Sequence, residues 1–374
     1  MKLQYEELER TGYRLRERIV ACTDDGERMG SASVGTVQSR YCGHDMSTVT
    51  IGGVNTNPEY RRKGSVRAMF DRVFEMAPER GWTVSMLHPF SSAYYRQFGY
   101  EKICDHRVLT FPLAALEFLP RVSDVKVLKN EERLRDAVAL YNAFGDTRGI
   151  MFRRFDGQHY SLEPNTKKPT TYIWYDAAGK PAAYVTLWVE DVLYVNRMVP
   201  VALNVNELVF STPESLRAIL GFLRMYDGQN ETVKIHNCAM SPEIEVTLRD
   251  YVHTEYRLIS DIAARILDVK AFLEANRYPD APGHFRVRVD DSLPYTAGLW
   301  EVEYAGGKGE ARKLPDGGAY DLRAAMPAFT QLIYGYDAYT PEIAAYMEGV
   351  EVTDHAGDFF RAFGKKNNGL FEHF

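Results

Sequence analysis

No run of eighteen or more apolar residues occurs in this sequence, which excludes a membrane-spanning helix. The opening residues, Met1-Lys2-Leu3-Gln4-Tyr5-Glu6-Glu7, are charged and lack the apolar core of a signal peptide. Cysteine is scarce: Cys22, Cys42, Cys104 and Cys238 are scattered, with no Cys-x-x-Cys spacing. That argues against a zinc site and for free thiols in a reducing cytoplasm, and no metal is expected. An excess of positive charge is also missing. With 51 acidic against 45 basic side chains the net charge is −6, which disfavours nucleic acid and mildly favours cationic partners. Low-complexity segments are absent. So are Gly-x-x-x-x-Gly-Lys-Ser/Thr and Gly-x-Gly-x-x-Gly after a strand, the P-loop and dinucleotide fingerprints.

What remains is a chain of 374 residues, 45% hydrophobic, long enough and apolar enough for several packed α/β domains. Its most informative stretch starts at Ser47-Thr48-Val49-Thr50-Ile51, which reads as a strand. A turn at Pro58 and a basic glycine loop follow, and then Val66, Met69, Phe70, Val73, Phe74 and Ala77 at helical intervals. Pro78 and Gly81 are expected to close that helix, before the short strand Thr83-Val84-Ser85-Met86-Leu87. A helix start leaves backbone N–H groups unpaired at the positive end of the dipole, so it attracts anions. Gly64 allows close approach of the main chain to a phosphate, and Arg61, Arg62, Lys63 and Arg67 add positive charge. The segment reads as a pyrophosphate cradle.

Arg61-Arg62-Lys63-Gly64-Ser65-Val66 fits the pattern Arg/Gln-x-x-Gly-x-Gly/Ala, except that Val66 stands where glycine or alanine is more usual. It resembles the acetyl-coenzyme A loop of the GNAT superfamily of N-acetyltransferases. About twenty residues after the helix comes Tyr95-Arg96-Gln97-Phe98-Gly99-Tyr100. At this distance from the arginine loop, the Tyr-x-x-Phe-Gly-Tyr motif resembles the enhanced intracellular survival (Eis) family. That resemblance implies tandem acetyltransferase-like domains followed by a sterol carrier protein-like domain, with boundaries at 1–117, 118–278 and 279–374. It implies acetyl-coenzyme A as co-substrate, and a small-molecule or peptide amine as acceptor. It further implies a cytoplasmic homo-oligomer, hexameric in related proteins, with no membrane partner. Relative to the family the first domain is expected to start late, with 5–19 as the end of a segment that elsewhere begins with a strand and helices.

The resemblance also assigns roles. The backbone of Val54, Asn55 and Thr56 would orient the pantetheine arm, and Ser91 would join the coenzyme site. Tyr95 would protonate the departing thiolate. The carboxylate of the last residue, Phe374, would act as general base on the acceptor ammonium. Without the resemblance, one of 24 tyrosines is more often core than catalytic, and Phe371 and Phe374 could simply dock the tail. Tyr94 is the nearest rival to Tyr95. His88 is an alternative base, against the more common reading of a packed or capping histidine. Cys104 has no histidine–carboxylate pattern around it.

Further along, Glu207-Leu208-Val209-Phe210 and the helix after it repeat the strand–turn–helix plan. Thr212 is the expected cap, Pro213 the first helical position, and Leu216, Ile219, Leu220 and Leu223 the apolar stripe. The arginines and glycine of the first copy are missing, so this unit should be an echo that binds no coenzyme. Turn residues at 278–283 mark a boundary, beyond which 285–289 and 298–304 alternate as strands. Helical patterns over 322–334 and 341–347 follow. Two functions remain in contention: an N-acetyltransferase for cationic amines (aminoglycoside, polyamine or lysine type), or a non-catalytic acyl-coenzyme A or ligand-binding regulatory protein on the same scaffold.

Overall fold

The computed structural model describes residues 1–10, 15–155, 169–189, 202–237, 241–249 and 252–372. The chain divides into two units, one of Met1–Cys104 and Asp261–Lys366, the other of Asp105–Ser260 and, of the tail, residues 367–372.

The first unit opens with four antiparallel strands, β1 Lys2–Arg10, β2 Leu15–Cys22, β3 Arg28–Tyr41 and β4 His44–Thr56. Within 5–19, the described residues lie in β1 and β2. Helix α1, Ser65–Arg80, crosses over to β5, Val84–Leu87, which pairs in parallel with β4. Met69, Phe70, Val73, Phe74 and Ala77 are buried against the sheet, as helical spacing requires. Pro78 lies inside the last turn of α1 instead of ending it. It removes the N–H that would have bonded the Phe74 carbonyl, and the Tyr295 hydroxyl donates to that carbonyl at 2.9 Å instead. Gly81, at φ 64°, closes the helix. Then come α2, Ser92–Arg96, and β6, Glu101–Lys102.

The second unit contains β7 Asp105–Pro112, β8 Lys126–Val127, α3 Glu131–Gly145, β9 Ile150–Phe152, β10 Thr170–Tyr175, β11 Pro181–Val189, β12 Ala202–Phe210, α4 Pro213–Leu223, β13 Thr232–Ile235, α5 Pro242–Thr247 and β14 Glu255–Ser260. Its sheet runs β14-β7-β13-β12-β11-β10-β8, with β12 and β13 parallel. All four residues of the expected stripe on α4 are buried.

The chain then returns to the first unit. Strand β15, Ala263–Ile266, pairs antiparallel with both β5 and β6 and completes the order β1-β2-β3-β4-β5-β15-β6. After α6, Val269–Ala275, a third sheet forms from β16 Gly283–Asp290, β17 Gly298–Ala305, β18 Lys308–Leu314, β19 Leu322–Ala325 and, beyond α7 Met326–Ile333 and α8 Pro341–Ala344, β20 Val350–Val352. Helix α9, Gly357–Ala362, packs near its end. The expected helix over 322–334 is therefore corrected: its first four residues are β19, parallel to β16. Leu322 and Ala324 are buried while Arg323 is half-exposed, a period of two that precedes the helical period; Pro327 then begins α7.

Candidate active site

The parallel pairing of β4 with β5 stops at Ile51↔Leu87, although β4 continues to Thr56. Among the described residues, Gly52 to Thr56 have a strand neighbour only on the β3 side. The pairing slips between Ser31 and Ser33, where two β4 residues face one on β3, and Gly53 takes φ 57°. The two strands thus part into a slot whose β4 edge has no strand partner among the described residues. An extended chain of amides can pair with such an edge as an added strand would. Val54, Asn55 and Thr56 line this edge. The Asn55 amide bonds Ser31 Oγ at 3.0 Å and the Gly53 carbonyl at 2.9 Å, which fixes the bulge from within.

At the end of β4 the chain makes a short turn over Pro58–Tyr60 and enters the basic loop. Arg62 (φ 62°) and Gly64 (φ 83°) both adopt left-handed backbone. Gly64 is the N-cap of α1, and no side chain caps that end. The N–H groups of Ser65, Val66 and Arg67 therefore face outward at the positive pole of a four-turn helix. Arg61, Arg62, Lys63, Gly64 and Arg67 are exposed, Val66 is half-buried, and the buried Ser65 hydroxyl lies 3.4 Å from that of Thr56. Arg67 is steadied by Gln97 at 2.9 Å and by the Phe98 ring at 5.1 Å. Open donors, a glycine with free space where a Cβ would stand, and four exposed cations suit the pyrophosphate of a coenzyme.

The tyrosine motif folds beside the slot. Ser91 caps α2 by accepting the Tyr94 N–H at 3.3 Å, so this residue shapes the local backbone. Tyr95 is 3% exposed whereas Tyr94 is half-buried. Phe90, Tyr94 and Phe70 surround the Tyr95 ring at 5.3, 5.3 and 6.0 Å. Burial, followed by the proximity of Tyr94, pushes the Tyr95 hydroxyl up to about 12, so it is a held proton at neutral pH. Tyr100 is packed in the core with its hydroxyl 2.6 Å from Ser85 Oγ. Gly99 is needed twice over: its φ is 82°, and a Cβ there would meet the Arg265 guanidinium at 2.3 Å.

Arg265 and Asp261 are the residues that sequence reasoning missed. Arg265 on β15 is fully buried, donates to the Phe98 carbonyl and to both oxygens of Asp291 at 2.7 and 2.8 Å, and stacks over Phe74. It supports the Phe98-Gly99 turn from beneath. Asp261, 9% exposed, bonds His88 Nδ1 at 3.0 Å, immediately after the last paired residue of β5. Both arrive more than 160 residues after the motif they serve, with only the strand pattern of 263–266 as a local signal. Cys22 and Cys104 are buried and Cys42 is half-buried, none of the three in a disulfide; Cys238 and Phe374 lie outside the described residues. No group of three or more potential metal ligands occurs among the described residues.

Comparison with known proteins agrees with this geometry. Acetyltransferase (GNAT) domain models match residues 2–103 and 149–266, together more than half of the chain, and a sterol carrier protein domain model matches 269–368. No curated protein sequence matches the chain. Among solved structures, a conserved protein of unknown function and probable N-acyltransferase from Enterococcus faecalis V583 is similar over 100% of both chains, at 18% identity and a TM-score of 0.81. A GCN5-related N-acetyltransferase from Anabaena variabilis ATCC 29413 has 19% identity and a TM-score of 0.81, over 96% of this chain and 89% of its own. Eis1 from Mycobacterium abscessus has 19% identity and a TM-score of 0.74, over 96% and 90%. At these identities the likeness is one of fold.

Proposed function

The chain belongs to the GNAT acetyltransferases in their Eis-like form, two such domains followed by a sterol carrier protein domain, and from that premise we propose that it acetylates a primary amine of a cationic acceptor. The observation that carries the reading is the uncapped, glycine-led N-terminus of α1 at the mouth of the β4–β5 slot. Acetyl-coenzyme A supplies the acetyl group as a thioester. The α1 N–H groups with Arg61, Arg62, Lys63 and Arg67 would bind its pyrophosphate, and the β4 edge at Val54, Asn55 and Thr56 would align its amide arm. Tyr95, kept neutral by burial, would give its proton to the departing thiolate. The acceptor ammonium must lose a proton before its nitrogen can attack, and the Phe374 carboxylate is proposed as the base. Attack is direct, with no acyl-enzyme.

One observation favours a second reading of the base. The Asp261 carboxylate orients the His88 ring at the head of the slot, an arrangement suited to proton removal by imidazole. The test is thiol release from acetyl-coenzyme A with a panel of aminoglycosides, polyamines and lysine peptides, for the intact chain, a chain lacking Phe374, and His88→Asn. Collapse on deletion alone assigns the base to the terminus; collapse in His88→Asn alone assigns it to the dyad. Tight coenzyme binding with no turnover for any amine would leave a ligand-binding regulatory protein. An oligomer and a cytoplasmic location belong to the same proposal, and sizing of the purified protein tests the first.

A further inference from the structure

The second unit carries a cleft for which acetyl transfer has no use. Its volume is about 770 Å³, within the ordinary range of small-molecule sites, and every residue that lines it belongs to that unit. The end of α3, the end of β12, the start of α4 and helix α5 form its sides. Phe118, Phe144, Phe210, Leu216 and Leu248 make the walls apolar. Ser211, Thr212 and Pro213 place the cleft at the strand–helix turn of this unit, the position at which the first unit has its open helix end. Here Thr212 caps the helix, and the charge in the cleft comes from side chains instead.

Arg148 supplies most of that argument. It sits just past α3, where its N–H bonds the Gly145 carbonyl at 3.1 Å, and only 5% of its side chain is exposed. The guanidinium lies over the Phe144 ring at 4.0 Å and 5.8 Å from the Phe210 ring. Its Nη1 donates to Glu243 Oε1 at 2.8 Å. The Nε atom is buried with no hydrogen-bond partner among the described residues, and so is Glu243 Oε2. A charged donor left buried and unpaired is costly, and a planar guanidinium can take a second carboxylate on its open edge. Arg217 and Arg249, both exposed, add positive charge at the rim, with Arg249 4.2 Å from the centre of the Phe118 ring. Three arginines and one glutamate favour a ligand with a single negative charge, and the aromatic walls favour an organic one.

We propose that this cleft binds a small organic carboxylate with an apolar body and a hydroxyl or amide N–H beside the carboxylate. The carboxylate would take the open edge of Arg148, the neighbouring donor would serve Glu243 Oε2, and the body would lie among Phe118, Phe144 and Phe210. One ligand then satisfies both unpaired groups. A hydroxy acid and an N-acylated amino acid share this chemistry. The site stands apart from the acetyl-transfer reading and does not depend on it.

The experiment measures binding to the full chain by calorimetry for four compounds with the same phenyl body. These are phenyllactate, N-acetylphenylalanine, phenylpropionate, which lacks the donor, and phenylpropanol, which lacks the carboxylate. Hydrogen exchange of peptides covering 140–148 and 211–217, set against 54–67, locates the ligand. Phenyllactate or N-acetylphenylalanine should bind and protect the first two peptides, and the tighter of the pair names the source as hydroxy acid or acyl amino acid. Phenylpropionate should bind about threefold to tenfold more weakly, and phenylpropanol about tenfold or more. Arg148→Gln should erase the preference for a carboxylate. Ala143→Trp, at an exposed position of the lining, should block binding with the arginine intact, and covers the case in which Arg148→Gln fails to fold. No binding of any compound, equal binding of phenylpropanol, a carboxylate preference that survives Arg148→Gln, or undiminished binding in Ala143→Trp would overturn the site. So would protection confined to 54–67. Equal binding of phenylpropionate would overturn the part given to Glu243. Protection of the cleft peptides that rises with protein concentration alone would assign the cleft to a second copy of the chain and overturn the ligand.

Discussion

The chain contains two strand–turn–helix units of the same plan, and they treat the helix start in opposite ways. In β4–α1 the N-cap is Gly64, with no side chain to fill the helix donors, and the loop before it bristles with exposed cations. In β12–α4 the Thr212 hydroxyl takes the Ser215 N–H at 3.1 Å, and Ser215 Oγ takes the N–H groups of Thr212 and Ser211 at 2.9 and 3.1 Å. Pro213 has no N–H to offer. The first helix start has no side-chain cap, whereas the second fills its Ser215 donor with Thr212. Both units part their strands at the same point, since β12 pairs with β13 only as far as Val205↔Ile235 and continues to Phe210. The slot is therefore a property of the fold, whereas the proposed anion site depends on how a few residues cap one helix.

The largest expected effect comes from the tyrosine beside the first slot, which has no counterpart on α5, Pro242–Thr247, beside the second. Tyr95→Phe should lower kcat by about 10²–10⁴-fold with little change in KM for acetyl-coenzyme A, measured by thiol release. A parallel loss of coenzyme affinity would turn Tyr95 into a packing residue. Next in size is Gly64→Val, which forces a β-branched residue into left-handed backbone at a cost of about 1–3 kcal/mol. Coenzyme Kd by calorimetry should rise about tenfold or more. Unchanged affinity would mean that the open helix end is not the phosphate site.

Thr212→Ala probes the other side of the comparison. It should destabilise the second unit by about 1 kcal/mol in denaturant unfolding while leaving coenzyme binding untouched. Any change in coenzyme Kd would break the distinction between the two helix starts. The smallest effect concerns pH. The Tyr95 pKa is raised above its unfolded value, so its neutral form favours the folded state, and that contribution is present below 10.0 and lost as pH rises through about 12. The proton donor should thus stay loaded across the assay range, and Tyr94→Phe should leave the alkaline limb of the rate profile nearly unmoved.

The sequence alone determined the parts whose physics is local. Helical spacing set α1 and α4, Thr212 and Pro213 marked a helix start, and the basic glycine loop pointed to an anion before any fold was known. The Tyr-x-x-Phe-Gly-Tyr motif singled out Tyr95 among many tyrosines. Only the tertiary structure decided what depends on distant partners. Asp261 reaches His88, and Arg265 reaches the Phe98 carbonyl, because β15 slots between β5 and β6 after an excursion through the second unit. Arg154 meets Glu372 across most of the chain. Residues 322–325 became a strand because β16 offered a parallel edge that no local propensity reveals. Periodicity and capping are written within a few residues, whereas strand insertion and buried ion pairs are chosen by burial and pairing over the whole chain.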